Sequence, residues 1–170
     1  MAEAFVSIGS NIQREKHIAQ AVALLSAHYG RLRVSTVYES DAVGFAGNPF
    51  YNLVASFSTH EPPLTVAEQL RSIEDRCGRI REGARYGSRT LDLDLLLYDD
   101  MILTTDNLSL PRSEILTQAF VLGPLAELAA DLTHPVQQQT FGQLWAQHAT
   151  LQEPLRPVDF DFTGILAVAS

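Results

Sequence analysis

The chain predicts an α+β fold, a mostly antiparallel sheet with helices packed on it. Three observations lead there. Short apolar runs are bounded by Gly, Pro, Asn and Asp, as strands are. Two segments between them repeat apolar residues at helical spacing. The elements then follow in the order strand, helix, strand, strand, helix, strand. Ala4 to Ile8 is the first strand, and Gly9-Ser10-Asn11 a turn in which Asn11 is expected to cap the next helix. Ile18, Ala21, Val22 and Leu25 give that helix one apolar face, and Gly30 ends it. Leu32, Val34, Thr36 and Tyr38 alternate as a second strand, and a loop rich in Gly, Ala and Pro runs from Ser40 to Pro49. Phe50 to Phe57 is the third strand. Pro62-Pro63 interrupts the chain, Thr65 is the expected cap, and Val66, Leu70 and Ile73 mark a second helix reaching Gly78. Thr90 to Tyr98 is the fourth strand.

That order is the split βαβ, ferredoxin-like βαββαβ core. After Asp99-Asp100, Met101 to Thr104 and Leu108 to Leu110 read as a hairpin, followed by helical segments at Ser113 to Leu116 and Gly123 to Ala130. Phe141, Leu144 and Trp145 suggest one more helix. The apolar run Gly164 to Ala169 reads as an added strand or a flexible tail. No internal repeat and no linker is visible, so residues 1–170 are expected to form a single domain, with 150–170 as an extension.

Composition bounds the function. At 170 residues and 46% hydrophobic, the chain can fill one core and is short for two. No run of about 18 apolar residues occurs, and Met1-Ala2-Glu3-Ala4 has no basic flank, which predicts a cytoplasmic protein with no membrane partner. One cysteine, Cys77, excludes an internal disulfide framework and zinc-ribbon spacing; it is expected in the core. A net charge of -8 and a pI of about 5.0 exclude the electrostatic footprint of a nucleic-acid binder.

The chemistry is concentrated in Arg85-Tyr86-Gly87-Ser88-Arg89-Thr90-Leu91-Asp92-Leu93-Asp94. Successive strand side chains point to opposite faces, so Asp92 and Asp94 share one face roughly 7 Å apart while Leu91, Leu93 and Leu95 take the other. Two like charges side by side repel, and a divalent ion removes the repulsion. Magnesium takes a few carboxylate oxygens plus waters and phosphates, which suits such a pair. An acidic solvent face would give the same alternation. Arg71, Arg76, Arg79, Arg81, Arg85 and Arg89 are six of the twelve basic residues. Guanidinium forks bind phosphate oxygens bidentately, so the cluster points to a polyphosphate. Arg71 and Arg76 can equally pair with acidic neighbours on their helix. Gly78, Gly83 and Gly87 predict that Arg79 to Arg89 is a loop able to fold over a nucleotide. Neither a P-loop nor G-x-G-x-x-G nor the kinase H-R-D and D-F-G elements are present. The five histidines, His17, His28, His60, His134 and His148, lack metal-ligand spacing and read as structural or exposed.

Gly9-Ser10-Asn11, Phe50-Tyr51-Asn52-Leu53-Val54, Glu74 with Gly78-Arg79-Ile80-Arg81, Arg89-Thr90-Leu91-Asp92-Leu93-Asp94-Leu95, Pro111, and Ala119-Phe120-Val121-Leu122 with Pro124-Leu125 together resemble the 6-hydroxymethyl-7,8-dihydropterin pyrophosphokinase family of folate synthesis. The resemblance covers about residues 4–145. It implies transfer of the β,γ-pyrophosphoryl group of ATP to the pterin hydroxymethyl oxygen, with two Mg2+ ions and AMP as product, in a monomer. It assigns the metals to Asp92 and Asp94, and catalytic triphosphate contacts to Arg79 and Arg89. Glu74, Arg81, Tyr86 and Arg112 join them as nucleotide-binding residues. The pterin falls to Ser40, Val43, Phe50, Asn52 and Phe120. Two aromatic faces suit a flat bicyclic ring, and an amide can donate and accept toward its edge, although lone phenylalanines are mostly core.

Four departures from the family pattern stand out: Arg112 for a histidine, Gln118 for an arginine, Ser88 for a proline, and Asp41 for a proline in a slightly shorter pterin loop. Gln118 removes a permanent phosphate-binding charge, and Arg112, six residues earlier, is an expected replacement from a different direction. Two further readings stay open. A catalytically weak paralogue would bind pterin or nucleotide as a sensor, and a nucleotidyl transferase would release pyrophosphate instead of AMP.

Overall fold

Ala2–Ser10 (β1) is buried at seven of nine positions and half-buried at the rest, and a strand of that kind needs cover on both faces. It lies between two antiparallel neighbours, Phe50–Thr59 (β4) and Asp92–Tyr98 (β5). The structure, a computed structural model, describes residues 1–41, 48–78, 91–148 and 154–166. The helices Arg14–Tyr29 (α1) and Pro63–Arg76 (α2) cover one face. Ala4, Val6 and Ile8 of β1, Leu53, Ala55 and Phe57 of β4, and Leu91, Leu93 and Leu95 point into that core. Phe5, Val54, Leu96 and Leu97 point the other way, against Ala119–Ala129 (α3) and Phe141–His148 (α4).

The second strand is interrupted. Arg33–Val34 (β2) and Val37–Ser40 (β3) both pair with β4. Between them Ser35 donates its N–H to the Val54 carbonyl at 2.9 Å, while its Oγ accepts the Val54 N–H at 3.0 Å. A side chain thus replaces one rung of the ladder. Thr36 turns outward, giving its N–H and hydroxyl to Glu127 of α3 at 2.8 and 3.0 Å. Tyr38 donates to the same carboxylate at 2.6 Å, and burial together with that bond pushes its phenol up to about 12. The resulting sheet order, β5-β1-β4-β3, is that of the expected ferredoxin-like core, and every named pair is antiparallel.

Several boundaries differ from expectation. Asn11 does not cap α1; its amide donates to the Asn48 carbonyl at 3.0 Å, and the helix starts after Gln13 in a left-handed conformation (φ 44°). Gly30 ends it at φ 84°, as expected of glycine there. Helix α2 starts at Pro63, ahead of Thr65, because proline is pre-set for a first helical position. Helix α3 starts at Ala119 instead of Gly123: the Gln118 carbonyl accepts from Val121 and Leu122, and Pro124 lies inside the helix. Leu103–Thr104 (β6) and Ser109–Leu110 (β7) form the expected hairpin, and Ser113–Leu116 is a short 3-10 turn. An added C-terminal strand is Arg156–Val158 (β8), paired to the outer edge of β3, and residues 164–166 of the later apolar run are not strand. Ile165 and Leu166 pack on the first core, and residues 167–169 of the expected run lie outside the described residues.

Cys77 is buried, with its thiol pushed up by that burial, and serves packing. His17 and His134 are buried on backbone partners, the Ile12 carbonyl for the first and the Val136 and Gln137 N–H groups for the second. Among the described residues no helix is long and apolar enough to cross a membrane.

Candidate active site

Toward one end of the α3 face the apolar pattern of the sheet stops. On β1 the residues facing that way run Phe5, Ser7, Gly9; on β4 Val54 gives way to Asn52; on β5 Leu96 gives way to Asp94 and Asp92. Register lines these up in two rows. Asp92, Gly9 and Asn52 lie side by side across three strands, and Asp94, Ser7 and Val54 form the next row. With neighbouring strands about 4.8 Å apart, Asp92 and Asn52 face each other over roughly 10 Å, with only a glycine between them.

That glycine makes the floor. A Cβ at Gly9 would meet Asn52 Oδ1 at 3.0 Å and Phe50 Cδ1 at 3.9 Å. Asn52 is itself fixed, its Nδ2 donating to Ser40 Oγ at 2.7 Å in a buried contact. Phe50 opens β4, and Phe120 sits in the first turn of α3, which the Gln118 carbonyl starts. With Ser40, Asn52, both aspartates, Arg112 and Glu114 they line a recess of about 230 Å³.

A β-bulge sets the carboxylates on this side. Phe5 pairs with Leu97 but Val6 with Leu95, so Leu96 is extra and both Leu96 and Leu97 enter the second core. Below the bulge, Leu91, Leu93 and Leu95 go to the helix face, and Asp92 and Asp94 share the other, as the alternation predicts. Strand β5 is a sheet edge, so the Leu93 N–H points outward between the two aspartates. Glu74 of α2, 4% exposed, accepts it at 2.8 Å. Glu74 therefore fastens the strand that carries both acids.

A second recess of about 400 Å³ opens on the edge side, lined by Arg71 and Glu74 of α2, Asp92 through Leu95, Asn107, Leu108 and Arg112. The two recesses meet at Asp92, Asp94 and Arg112. Arg112 is held by its N–H on the Leu96 carbonyl at 3.0 Å, and its guanidinium reaches Asp94 at 3.4 Å and Glu114 closer still. Half-exposed carboxylate oxygens at such a junction suit a hard cation that also carries waters and phosphate. Among the described residues no group of three or more His, Cys, Asp and Glu gathers as a metal cage.

The structure thus brings Ser40, Phe50, Asn52, Glu74, Asp92, Asp94, Arg112 and Phe120 around one junction. Val43, Arg79, Arg81, Tyr86 and Arg89, along with Arg85 and Ser88, lie outside the described residues. Gly9, Ser7 and Glu114 were not singled out as site residues by sequence reasoning. Glycine beside the end of a strand was the signal for Gly9, since it marks close approach to something placed on the sheet.

Comparison with known proteins agrees with this geometry. Residues 5–130 match the family described as 7,8-dihydro-6-hydroxymethylpterin-pyrophosphokinase (HPPK). The 2-amino-4-hydroxy-6-hydroxymethyldihydropteridine pyrophosphokinase of Bacillus subtilis is 35% identical over 158 residues, covering 88% of this chain and 94% of that protein. The Pseudomonas aeruginosa protein of the same name is 39% identical over 135 residues, 77% of this chain and 83% of its own. Among solved structures, Plasmodium falciparum HPPK-DHPS wild type with pteroate superposes with a TM-score of 0.73 at 14% identity. That match covers 88% of this chain but only 42% of the Plasmodium chain, and it speaks for the fold alone. With the family match running from within β1 through the rest of the βαββαβ core and both aspartates, this chain belongs to the 7,8-dihydro-6-hydroxymethylpterin-pyrophosphokinase family.

Proposed function

We propose that this chain transfers the β,γ-pyrophosphoryl group of ATP to the hydroxymethyl oxygen of 6-hydroxymethyl-7,8-dihydropterin, giving AMP and the pterin diphosphate. One observation carries the reading: two recesses of different character share a single carboxylate pair. The smaller recess, with Phe50, Phe120 and Asn52, suits a flat heterocycle with a hydrogen-bonding edge. Its neighbour, with Arg71 and Arg112 on a polar lining, suits a charged polyphosphate. Donor and acceptor then come together over Asp92 and Asp94.

In this reading the pterin lies on Gly9, its ring between Phe50 and Phe120 and its edge on the Asn52 amide. Asn52 is pre-oriented by Ser40, so reading the edge costs little reorganisation. The hydroxymethyl group then points along the row toward Asp92. Its oxygen attacks the β-phosphorus of ATP; the bond from that phosphorus to the α,β-bridging oxygen breaks, AMP leaves, and the hydroxyl proton passes to solvent. Asp92 and Asp94 would hold two magnesium ions, which supply charge neutralisation to the triphosphate and polarise the attacking oxygen. Arg79 and Arg89, with Arg81 and Tyr86, bind the triphosphate from the segment outside the described residues, a role that rests on the family resemblance. Phosphoryl-type transfer is governed by alignment and electrostatics, so one such arginine is worth several kcal/mol, on the order of a thousandfold in rate. Glu74 acts on the nucleotide side by holding β5 in place.

The test is product analysis. With ATP, magnesium and 6-hydroxymethyl-7,8-dihydropterin, AMP and the pterin diphosphate should appear in equal amounts. Pyrophosphate in place of AMP identifies a nucleotidyl transferase, and pterin binding without AMP identifies a non-catalytic relative.

A further inference from the structure

The C-terminal strand β8 lies beyond the stretch that matches the family, yet it carries a guanidinium onto the acids that flank Ser40, on the α1 side of the sheet behind the acceptor recess. Arg156 donates from Nε to Glu39 at 3.1 Å and from Nη2 to Asp41 at 3.0 Å. Those two acids flank Ser40, the residue whose hydroxyl holds the Asn52 amide. Glu39 also takes Nη1 of Arg14 at 2.8 Å, and the same Arg14 atom donates to the Pro49 carbonyl at 3.0 Å. The Arg14 guanidinium stacks 3.8 Å above the Tyr51 ring. One charge chain, Arg14–Glu39–Arg156–Asp41, thus ties together Ser40 on β3 and the 49–52 stretch entering β4. Backbone pairing of Val37 with Val158 and Glu39 with Arg156 fixes where the guanidinium falls.

We infer that Arg156 is a positioning residue for the acceptor pocket: by clamping Glu39 and Asp41 it sets Ser40, and through Ser40 the orientation of the Asn52 amide that meets the acceptor ring. The inference rests on the functional reading above for the identity of the acceptor. Arg156 touches no substrate, so its loss acts on acceptor affinity and leaves the reacting groups alone. Lysine can hold one carboxylate but not fork across two.

Arg156→Ala, Arg156→Lys and Val158→Ala are compared with the wild type for pterin KM, ATP KM, kcat and amide hydrogen exchange. Val158 packs on the core from the same strand, so its truncation removes a core contact of β8 while keeping the backbone pairing and the guanidinium. Exposed pairs are individually weak and this is a network, so pterin KM in Arg156→Ala is expected to rise about three- to tenfold. ATP KM and kcat should stay within about twofold on the same scale. Arg156→Lys should recover part of the loss, and Val158→Ala should leave pterin KM unchanged. An unchanged pterin KM in Arg156→Ala, or an equal rise in Val158→Ala, overturns the inference. Exchange separates this from the functional reading. If the wild type makes no AMP that reading fails, while faster exchange at residues 50–52 in Arg156→Ala, with Val158→Ala unchanged there, still supports the clamp. Unaltered exchange in Arg156→Ala under that circumstance overturns it.

Discussion

At Gly9 the site depends on an atom that is missing. The residue is flanked by Asp92 on one side and Asn52 on the other, and an added Cβ would stand 3.0 Å from Asn52 Oδ1. Gly9→Ala should therefore displace the amide and raise the floor, weakening pterin binding about tenfold with little change in ATP affinity, as read by calorimetry. Equal loss for both ligands would contradict a floor under the acceptor alone. Glu74 shows a charged residue that accepts from backbone. Glu74→Ala leaves the Leu93 N–H of the edge strand without its acceptor and should cost about 2 kcal/mol in denaturant unfolding. Glu74→Gln, which keeps an acceptor oxygen, should cost less. At Gln118 it is the backbone that does the work seen here, since its carbonyl starts α3 and so places Phe120.

Elements decide which residues reach the junction. The alternation of β5 was legible from sequence because Leu and Asp differ so sharply, and the aspartates do share a face. The bulge that turns Leu96 into the second core was not, because Leu95, Leu96 and Leu97 look alike without a partner strand. Likewise Asn11 reads as a cap locally, yet its amide is claimed by Asn48, far along the chain. The pairing of β8 with β3 is equally non-local: Arg156 carries no pattern that foretells Glu39 and Asp41. That pairing has a pH signature. Hydrogen bonds from Arg14 first and Arg156 second hold the Glu39 carboxyl below its ordinary value of 4.5. A depressed acid contributes stability that is complete above its unfolded value and disappears as pH falls through the native one. The thermal midpoint of the wild type should exceed that of Glu39→Gln at neutral pH, with the gap closing as pH falls below 4.5. A gap that persists unchanged in strong acid would contradict the ion-pair origin.

Over the whole molecule, an acidic chain of net charge -8 concentrates its cations in one stretch of sequence. Half of its basic residues fall between Arg71 and Arg89, and Arg112 adds another at the junction. The sheet divides the work. One face, under α1 and α2, is continuous apolar core; the other is core near α4 and opens into the smaller recess where Ser7, Gly9, Asn52 and the two aspartates replace apolar side chains. Edge strand β5 lets the same carboxylates face the second recess. The decisive measurement is the rate of AMP formation from ATP and 6-hydroxymethyl-7,8-dihydropterin across a magnesium titration, for wild type and for the Asp92→Asn/Asp94→Asn double variant. Removing both acids should lower kcat by on the order of a thousandfold or more and abolish saturation by magnesium. Turnover within tenfold of wild type, with the same magnesium dependence, would show that the carboxylate pair is not where donor and acceptor meet.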